Sequence, residues 1–341
     1  MKTPMNSLHS TNLRRTYAVA SARTRLFTLL ALALVLMGAG CSRPEATPLR
    51  VGSLVWPGYE PFYVARHLGY LDNKQVRLTD YNSTADSLRA FSNGTIDAGM
   101  MTLDEALMLS LDVPDIRLVL VTDVSNGGDV IMAKPEIASL KDLKGRRVGA
   151  ETSAMGAYVL MRALQLAGLK PQDLTVVPMD FAEHETAFKE GRIDAVVTYD
   201  PARTKLRNFG ARQIFDSTQI PGEIVDVLVV RDVYLQAHPE TVKHLLTAYY
   251  RGRAYLKEKP QEAALIAAAR EKVTPQEFLA SLDGLLLPDA NESRRMLIGP
   301  PPALLKNAQS LASIMREKGL LRKDVDVAAL FDPRTLARIL P

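Results

Sequence analysis

Ala90-Phe91-Ser92-Asn93-Gly94-Thr95-Ile96-Asp97-Ala98 and Ala187-Phe188-Lys189-Glu190-Gly191-Arg192-Ile193-Asp194-Ala195 share Ala-Phe, a glycine and Ile-Asp-Ala at the same spacing. Each stretch closes a segment of helical period, turns at a glycine and enters a short apolar run, as at a helix-to-strand junction. Such an internal near-duplication predicts two lobes with similar wiring.

Working outward, the chain alternates short β-branched runs with longer segments of helical period. Strands are expected at 49–55, 76–81, 96–100 and 117–122, with helices at 60–68, 85–92 and 103–109 between them. Ser83 with Asp86, Thr102 with Glu105, and Ser139 with Asp142 have the spacing of helix N-caps, where a hydroxyl and a side chain three residues on satisfy free backbone amides. An apolar run at 130–133 and a charged helical turn at 139–144 lead into a second series. Its strands fall at 147–150, 175–178 and 193–198, and its helices at 153–167 and 183–190. After a β-branched run at 225–230 the chain turns almost wholly helical (239–257, 260–271, 275–285 and 302–318), with prolines near the helix starts. The alternation predicts an α/β fold in which each lobe is a mainly parallel sheet flanked by helices. The chain is expected to leave lobe one near Ala133 and return near Leu228. Residues 49–133 and 229–341 then form lobe one and 134–228 lobe two, with two crossing strands as the hinge.

The N-terminus carries Lys2, Arg14, Arg15, Arg23 and Arg25 ahead of an apolar stretch at 26–37 that ends in Gly38-Ala39-Gly40-Cys41. That order is a secretory signal peptide, and its apolar core is too short for a membrane span of about 20 residues. Small residues just before the only cysteine resemble a bacterial lipoprotein signal, which implies that 1–40 is removed, Cys41 is acylated and 41–48 is a tether. An ordinary signal peptide cut nearby, leaving Cys41 a free thiol, is the alternative. The formal charge of +4 belongs to this segment: 1–40 holds five basic and no acidic side chains, which leaves 37 basic against 38 acidic groups in the remainder. A near-neutral exported protein is not expected to bind nucleic acid. With no cysteine after Cys41, the fold must stabilise itself by burial.

Several stretches resemble the nitrate, sulfonate and taurine type of periplasmic solute-binding proteins of ABC importers. They are Trp56-Pro57-Gly58-Tyr59-Glu60-Pro61, Ala65-Arg66-His67-Leu68-Gly69-Tyr70, Gly94-Thr95-Ile96-Asp97-Ala98, Ser139-Leu140-Lys141-Asp142-Leu143-Lys144-Gly145-Arg146-Arg147-Val148-Gly149 and Gly191-Arg192-Ile193-Asp194-Ala195-Val196. The likeness spans about 49–231. It implies a two-lobed periplasmic-binding-protein fold of type II, a monomer that closes on a small-molecule ligand and delivers it to an ABC permease and its ATPase, with no cofactor. These motifs identify architecture and leave the ligand open.

In open α/β sheets ligands sit beyond the carboxyl ends of the strands. That rule selects Trp56, Tyr59, Tyr81, Thr102, Asp104, Asp123, Ser125, Asn126, Glu151, Ser153, Tyr199 and Asp200 as ligand-binding candidates. Trp56 offers a flat π-face, with Tyr199 and Phe181 as a facing wall. Asp104, Glu105, Asp123, Asp129, Glu151, Asp180 and Asp200 fall in these loops while basic side chains are nearly absent, so the site favours a neutral or cationic solute over a simple anion. Each residue also has a plainer explanation: Glu105 closes a capping box, and Asp200 before Pro201 starts a turn.

Catalytic and metal sites are not expected. His184-Glu185 begins like a zinc-protease motif, but Phe188 stands in the second histidine's place, and no P-loop, Gly-x-Ser-x-Gly or metal-spaced cysteine set occurs. A ligand sensor for a membrane receptor, and an enzyme resembling the thiamine-precursor synthases, are the competing readings.

Overall fold

The computed structural model describes residues 47–151 and 155–340. The expected signal peptide, Cys41 and Ser153 lie outside them. Two sheets are built in sequence. β1 (Leu49–Ser53), α1 (Glu60–His67), β2 (Val76–Asp80), α2 (Thr84–Ser92), β3 (Ala98–Thr102), α3 (Leu103–Ser110) and β4 (Ile116–Ser125) supply the first. The second takes β5 (Val130–Ala133), β6 (Arg147–Ala150), α4 (Met155–Ala167), β7 (Thr175–Pro178), α5 (His184–Lys189), β8 (Ala195–Thr198), α6 (Ala202–Asn208) and β9 (Arg212–Asp216). The chain then re-enters the first sheet through β10 (Val225–Arg231). There follow α7 (Asp232–Ala237), α8 (Pro239–Glu258), α9 (Pro260–Glu271), α10 (Pro275–Ser281), β11 (Leu285–Leu286), α11 (Ala290–Ile298), α12 (Ala303–Glu317) and α13 (Pro333–Ile339).

The strand orders are β11-β4-β10-β3-β1-β2 and β7-β6-β8-β5-β9. Both sheets are mixed yet mainly parallel in direction, as expected: four of the six strands of the first and four of the five of the second run the same way. β1, β2 and β3 run parallel, but β10 is antiparallel to both β3 and β4. In the second sheet β6 is parallel to β7 and β8, while β5 is antiparallel to β8 and β9. A strand that enters a sheet directly from the other one, with no helical crossover, is free to run antiparallel. Strand membership also moves the crossings from their expected places: β5 belongs to the second sheet and all of β10 to the first. The connections are the short segments 126–129 and 217–224, because the apolar runs at 130–133 and 225–230 are strands on the far side of each crossing.

The duplicated stretches occupy equivalent places in the two sheets. Asp97 accepts from Arg50 Nε and Nη2, both at 2.7 Å. Asp194 accepts from Arg147 Nε at 3.1 Å and Nη2 at 2.8 Å. Gly94 and Gly191 sit at φ +77° and +70°, a region L side chains rarely adopt, which is why each motif turns on a glycine. The two isoleucines close over glycines of the first strands. A Cβ at Gly52 would lie 2.5 Å from Ile96 Cδ1, and one at Gly149 would lie 2.9 Å from Ile193 Cδ1.

The first sheet holds the larger core. Val225 to Val230 of β10 are all buried between β3 and β4, as the unbroken apolar run requires. At roughly 1.5–3 kcal/mol for each large aliphatic side chain taken out of water, this strand is a main anchor of the fold. The helical tail packs on that sheet. Tyr249 of α8 lies 4.7 Å from the ring of Phe62 and donates its hydroxyl to Thr122 O at 2.7 Å. α8 approaches α1 so closely at Gly252 that a Cβ there would lie 2.0 Å from Pro61 O.

Candidate functional site

The chain leaves β1 into a 3-10 turn, Pro57–Tyr59, that swings Trp56 and Tyr59 inward; both are buried. Trp56 Nε1 donates to Asp123 Oδ2 at 3.1 Å, and Tyr59 donates its hydroxyl to Asp226 Oδ1. Gly58 between them leaves room for the carboxylate, since a Cβ there would lie 1.9 Å from Asp123 Oδ2. Opposite stands Tyr199, at the carboxyl end of β8. Its ring meets Trp56 edge-on (5.4 Å, 88°) and stacks on Phe181 (4.3 Å, 6°). One aromatic row therefore runs from the first sheet's loops to the second's.

Around this row lies a cleft with about 350 Å³ of empty volume, of which about 30 Å³ admits the centre of a water molecule. Leu54, Trp56, Tyr59, Thr84, Thr102, Glu105, Asp129, Met155, Tyr199 and Asp226 line it. Strand register brings the polar ones together. Asp226 of β10 lies beside Thr102 of β3 on one side and Asp123 of β4 on the other. Glu105, one turn into α3, accepts from Thr102 N at 2.9 Å. Asp129 lies in the crossing segment 126–129, its backbone N–H donating to Ser125 Oγ at 3.1 Å and its carbonyl accepting from Ser217 N at 2.9 Å.

The carboxyl groups are held in an unusual state by burial. Asp129 is pushed up to about 7, chiefly because it is removed from water, with Asp104 and Asp200 adding repulsion against partial relief from Ser125 and Arg203. Glu151 is likewise raised to about 7 by burial and by Asp180. Burial also raises Glu105, Asp104, Asp123 and Asp226; Asp104 adds to the rise of Glu105, Asp129 to that of Asp123, and Asp123 to that of Asp226. Asp104 Oδ2, Asp123 Oδ1 and Asp129 Oδ2 are buried without a hydrogen-bond partner. Desolvated carboxylates repel each other and attract any cation that enters.

Of the residues chosen from sequence, Trp56, Tyr59, Thr102 and Tyr199 line the cleft. The other described candidates are placed elsewhere. Asp123 stands behind the indole of Trp56, and Asp104 is buried in the first turn of α3. Ser125 Oγ lies 2.8 Å from Ser217 Oγ and so ties the two crossing segments together. Asn126 is exposed, with its backbone N–H on Gly284 O at 2.8 Å. Tyr81 is half-buried against Gly52 at the edge of β1. Glu151 is buried just beyond β6 but is not part of the lining, and Asp200 accepts from Thr204 N at 3.0 Å, starting α6.

Leu54, Thr84, Met155 and Asp226 line the cleft without having been chosen, together with Glu105 and Asp129, which the sequence offered only among the acids of the candidate loops. Asp226 and Asp129 share one cause. Both sit at the amino ends of strands, β10 and β5, that run antiparallel to their neighbours, so they lie beside the neighbours' carboxyl ends. The strand-end rule reached Asp129 only as the last residue of the loop after β4 and passed over Asp226, for which a lone acid inside an apolar run was the available signal.

Two mixed α/β sheets joined by two crossings, with a cleft where strand ends converge, define the type II periplasmic-binding-protein fold. The chain belongs to the NMT1/THI5 like family, whose model matches residues 56–263. It is 28% identical over 167 residues to the taurine-binding periplasmic protein of Escherichia coli (strain K12), a match covering 48% of this chain and 52%, about half, of that protein. The alkanesulfonate-binding protein of Xanthomonas axonopodis pv. citri bound to MOPS superposes with a TM-score of 0.71 at 19% identity, covering 84% of this chain and 98% of that one. The periplasmic nitrate-binding protein of Synechocystis PCC 6803 superposes at 0.69 with 14% identity, covering 86% and 88%.

Proposed function

We propose that this protein is the solute-binding component of an ABC importer, and that it holds a small, nitrogen-containing neutral or cationic organic molecule in the cleft around Trp56 and Tyr199. The observation that carries the proposal is the lining: Glu105, Asp129 and Asp226 contribute carboxyl groups, and among the described residues no lysine, arginine or histidine contributes to it. A sulfonate or nitrate placed among these groups would be repelled by whichever of them is ionised, with no basic side chain of the described lining to offset it, whereas an entering cation would favour their ionisation. Family membership supports solute binding, and the acids argue for a solute of opposite character to the taurine, alkanesulfonate and nitrate in the relatives' names. Export and anchoring through Cys41 belong to the same reading, with the permease and its ATPase as partners.

Calorimetric titration tests it. Amines, aminopyrimidines, guanidines and urea-like compounds are titrated beside ethanesulfonate, taurine and nitrate, and at least one of the first group is expected to bind in the micromolar range or better. Tight binding confined to nitrate or ethanesulfonate would refute the charge argument. For the anchor, Cys41→Ala is expected to move the protein from the membrane fraction to the soluble one; retention in membranes refutes acylation at that residue.

A further inference from the structure

We infer that Asp129 is the hydrogen-bond anchor of the cleft, and that the solute is therefore a cation with at least one N–H, such as a primary or secondary amine, an amidine or a protonated aminoheterocycle, and not a quaternary ammonium. This rests on the solute-binding reading above and narrows it.

Asp129 is 3% exposed, lines the cleft, and its Oδ2 has no hydrogen-bond partner. Leaving a carboxylate oxygen buried and unpaired is costly, and proteins rarely do so unless another molecule supplies the donor. Among the described residues no hydrogen bond reaches that oxygen, and Arg203 Nε is likewise buried without a partner. Arg203, the basic group that lowers Asp129, gives Nη1 to Gly127 O at 2.9 Å and stands 3.7 Å from Asp200. Asp104 and Asp123, the nearby acids, each carry an unpartnered oxygen of their own and make no hydrogen bond to Asp129 Oδ2.

The anchor is also rigid. Both backbone polar groups of Asp129 are bonded, one to Ser125 beside it and one to Ser217 in the other crossing segment. A donor on Oδ2 would thus be held at the junction through which both chain connections pass, while the rings of Trp56 and Tyr199 close the rest of the cleft.

The aromatic wall alone would accept any cation, N-methylated ones included, because attraction to a π-face needs no hydrogen. Asp129 breaks that tolerance. A methyl group facing Oδ2 leaves the oxygen as unpaired as before, whereas an N–H forms a charge-assisted bond, typically about 1.5–3 kcal/mol or roughly 10- to 100-fold in affinity.

The experiment titrates two matched pairs, ethanolamine with choline and benzylamine with benzyltrimethylammonium, beside ethanesulfonate and nitrate, following calorimetry and the emission of the single tryptophan. The N–H member of at least one pair is expected to bind about 10- to 100-fold more tightly than its methylated partner. Asp129→Asn is expected to remove most of that difference, weakening the N–H member of each pair well beyond its methylated partner. The ratio in the unmodified protein decides the matter even if the variant folds poorly. Equal binding of the methylated partners, an unchanged ratio in a folded Asp129→Asn, or failure of every N–H cation to bind overturns the anchor. Binding of ethanesulfonate or nitrate with none of the amines overturns the charge reading along with it, so the two failures are distinguishable.

Discussion

Asp129→Asn should make the unliganded protein more stable at pH 8 and little different at pH 5.5. The carboxyl is pushed from an ordinary 3.8 to about 7 in the folded chain, with burial the largest cause. A folded-state value above the unfolded one means that the native protein holds the proton more tightly. The destabilisation is then absent below the unfolded value, grows as pH rises, and is complete above about 7. At about 1.4 kcal/mol for each tenfold change in proton affinity, the rise corresponds to ~4 kcal/mol at pH 8. Asparagine removes the charge but leaves an amide poorly satisfied, at a cost of about 1–2 kcal/mol. The expected net gain is about 2–3 kcal/mol at pH 8, or a rise in melting temperature of roughly 3–6 °C. The assay is urea and thermal unfolding of both proteins at pH 5.5 and 8. A variant less stable than the parent at pH 8, or a difference that is the same at both pH values, would refute the claim that an unpaired buried charge sits at this position. A gain at pH 8 combined with loss of amine binding would mark a residue kept for its ligand at the expense of the fold.

Three further outcomes follow from the same geometry. Affinity for an amine should rise about tenfold between pH 6 and 8 as Asp129 ionises among Asp104, Asp123, Asp200 and Arg203, with Glu105 moving it in the same direction; calorimetry across that range checks this, and a flat or falling profile contradicts it. Asp123→Asn keeps an acceptor for Trp56 Nε1 and should preserve both the emission spectrum and amine affinity to within about 3-fold, whereas Asp123→Leu should shift the emission and weaken binding about tenfold; equal behaviour of the two would mean that Asp123 does not orient the indole. Arg270 pairs with the fully buried Glu60 and with Asp80 while lying 3.5 Å over the ring of Tyr63, so Arg270→Met should cost about 3–5 kcal/mol in urea unfolding, and Glu60→Gln in the same protein should recover much of it; a loss below about 1 kcal/mol would show that the pair is not the anchor of α9 on α1.

Much of the frame was legible because it depends on local pattern. The cap at Ser83 accepts from Asp86 N at 3.2 Å, as its spacing requires, and α8 and α9 start at their prolines. Elements of little contrast escaped: α6, α7, α11 and α13 lacked a clear apolar period or a recognised cap, and β9 is short and half exposed. Trp56, Tyr59 and Tyr199, picked out because aromatic residues beside strand ends stand out, do line the cleft. Asp123 was found for the wrong contact, because sequence places it at the right strand end and cannot show that the indole of Trp56 lies in front of it.

The sequence by itself determined that two similar units exist, since Gly94 and Gly191, Asp97 and Asp194 recur at one spacing and each serves its own nearby strand. It also determined that the candidate loops are rich in acids and poor in bases. Only the tertiary structure decided which acids share the cleft. Whether Asp226 and Asp129 face it depends on the direction in which β10 and β5 run between strands distant in sequence, and that direction is set by how the chain crosses from one sheet to the other. Their raised proton affinities follow from the same source, because desolvation and mutual repulsion exist only once the fold has gathered the groups.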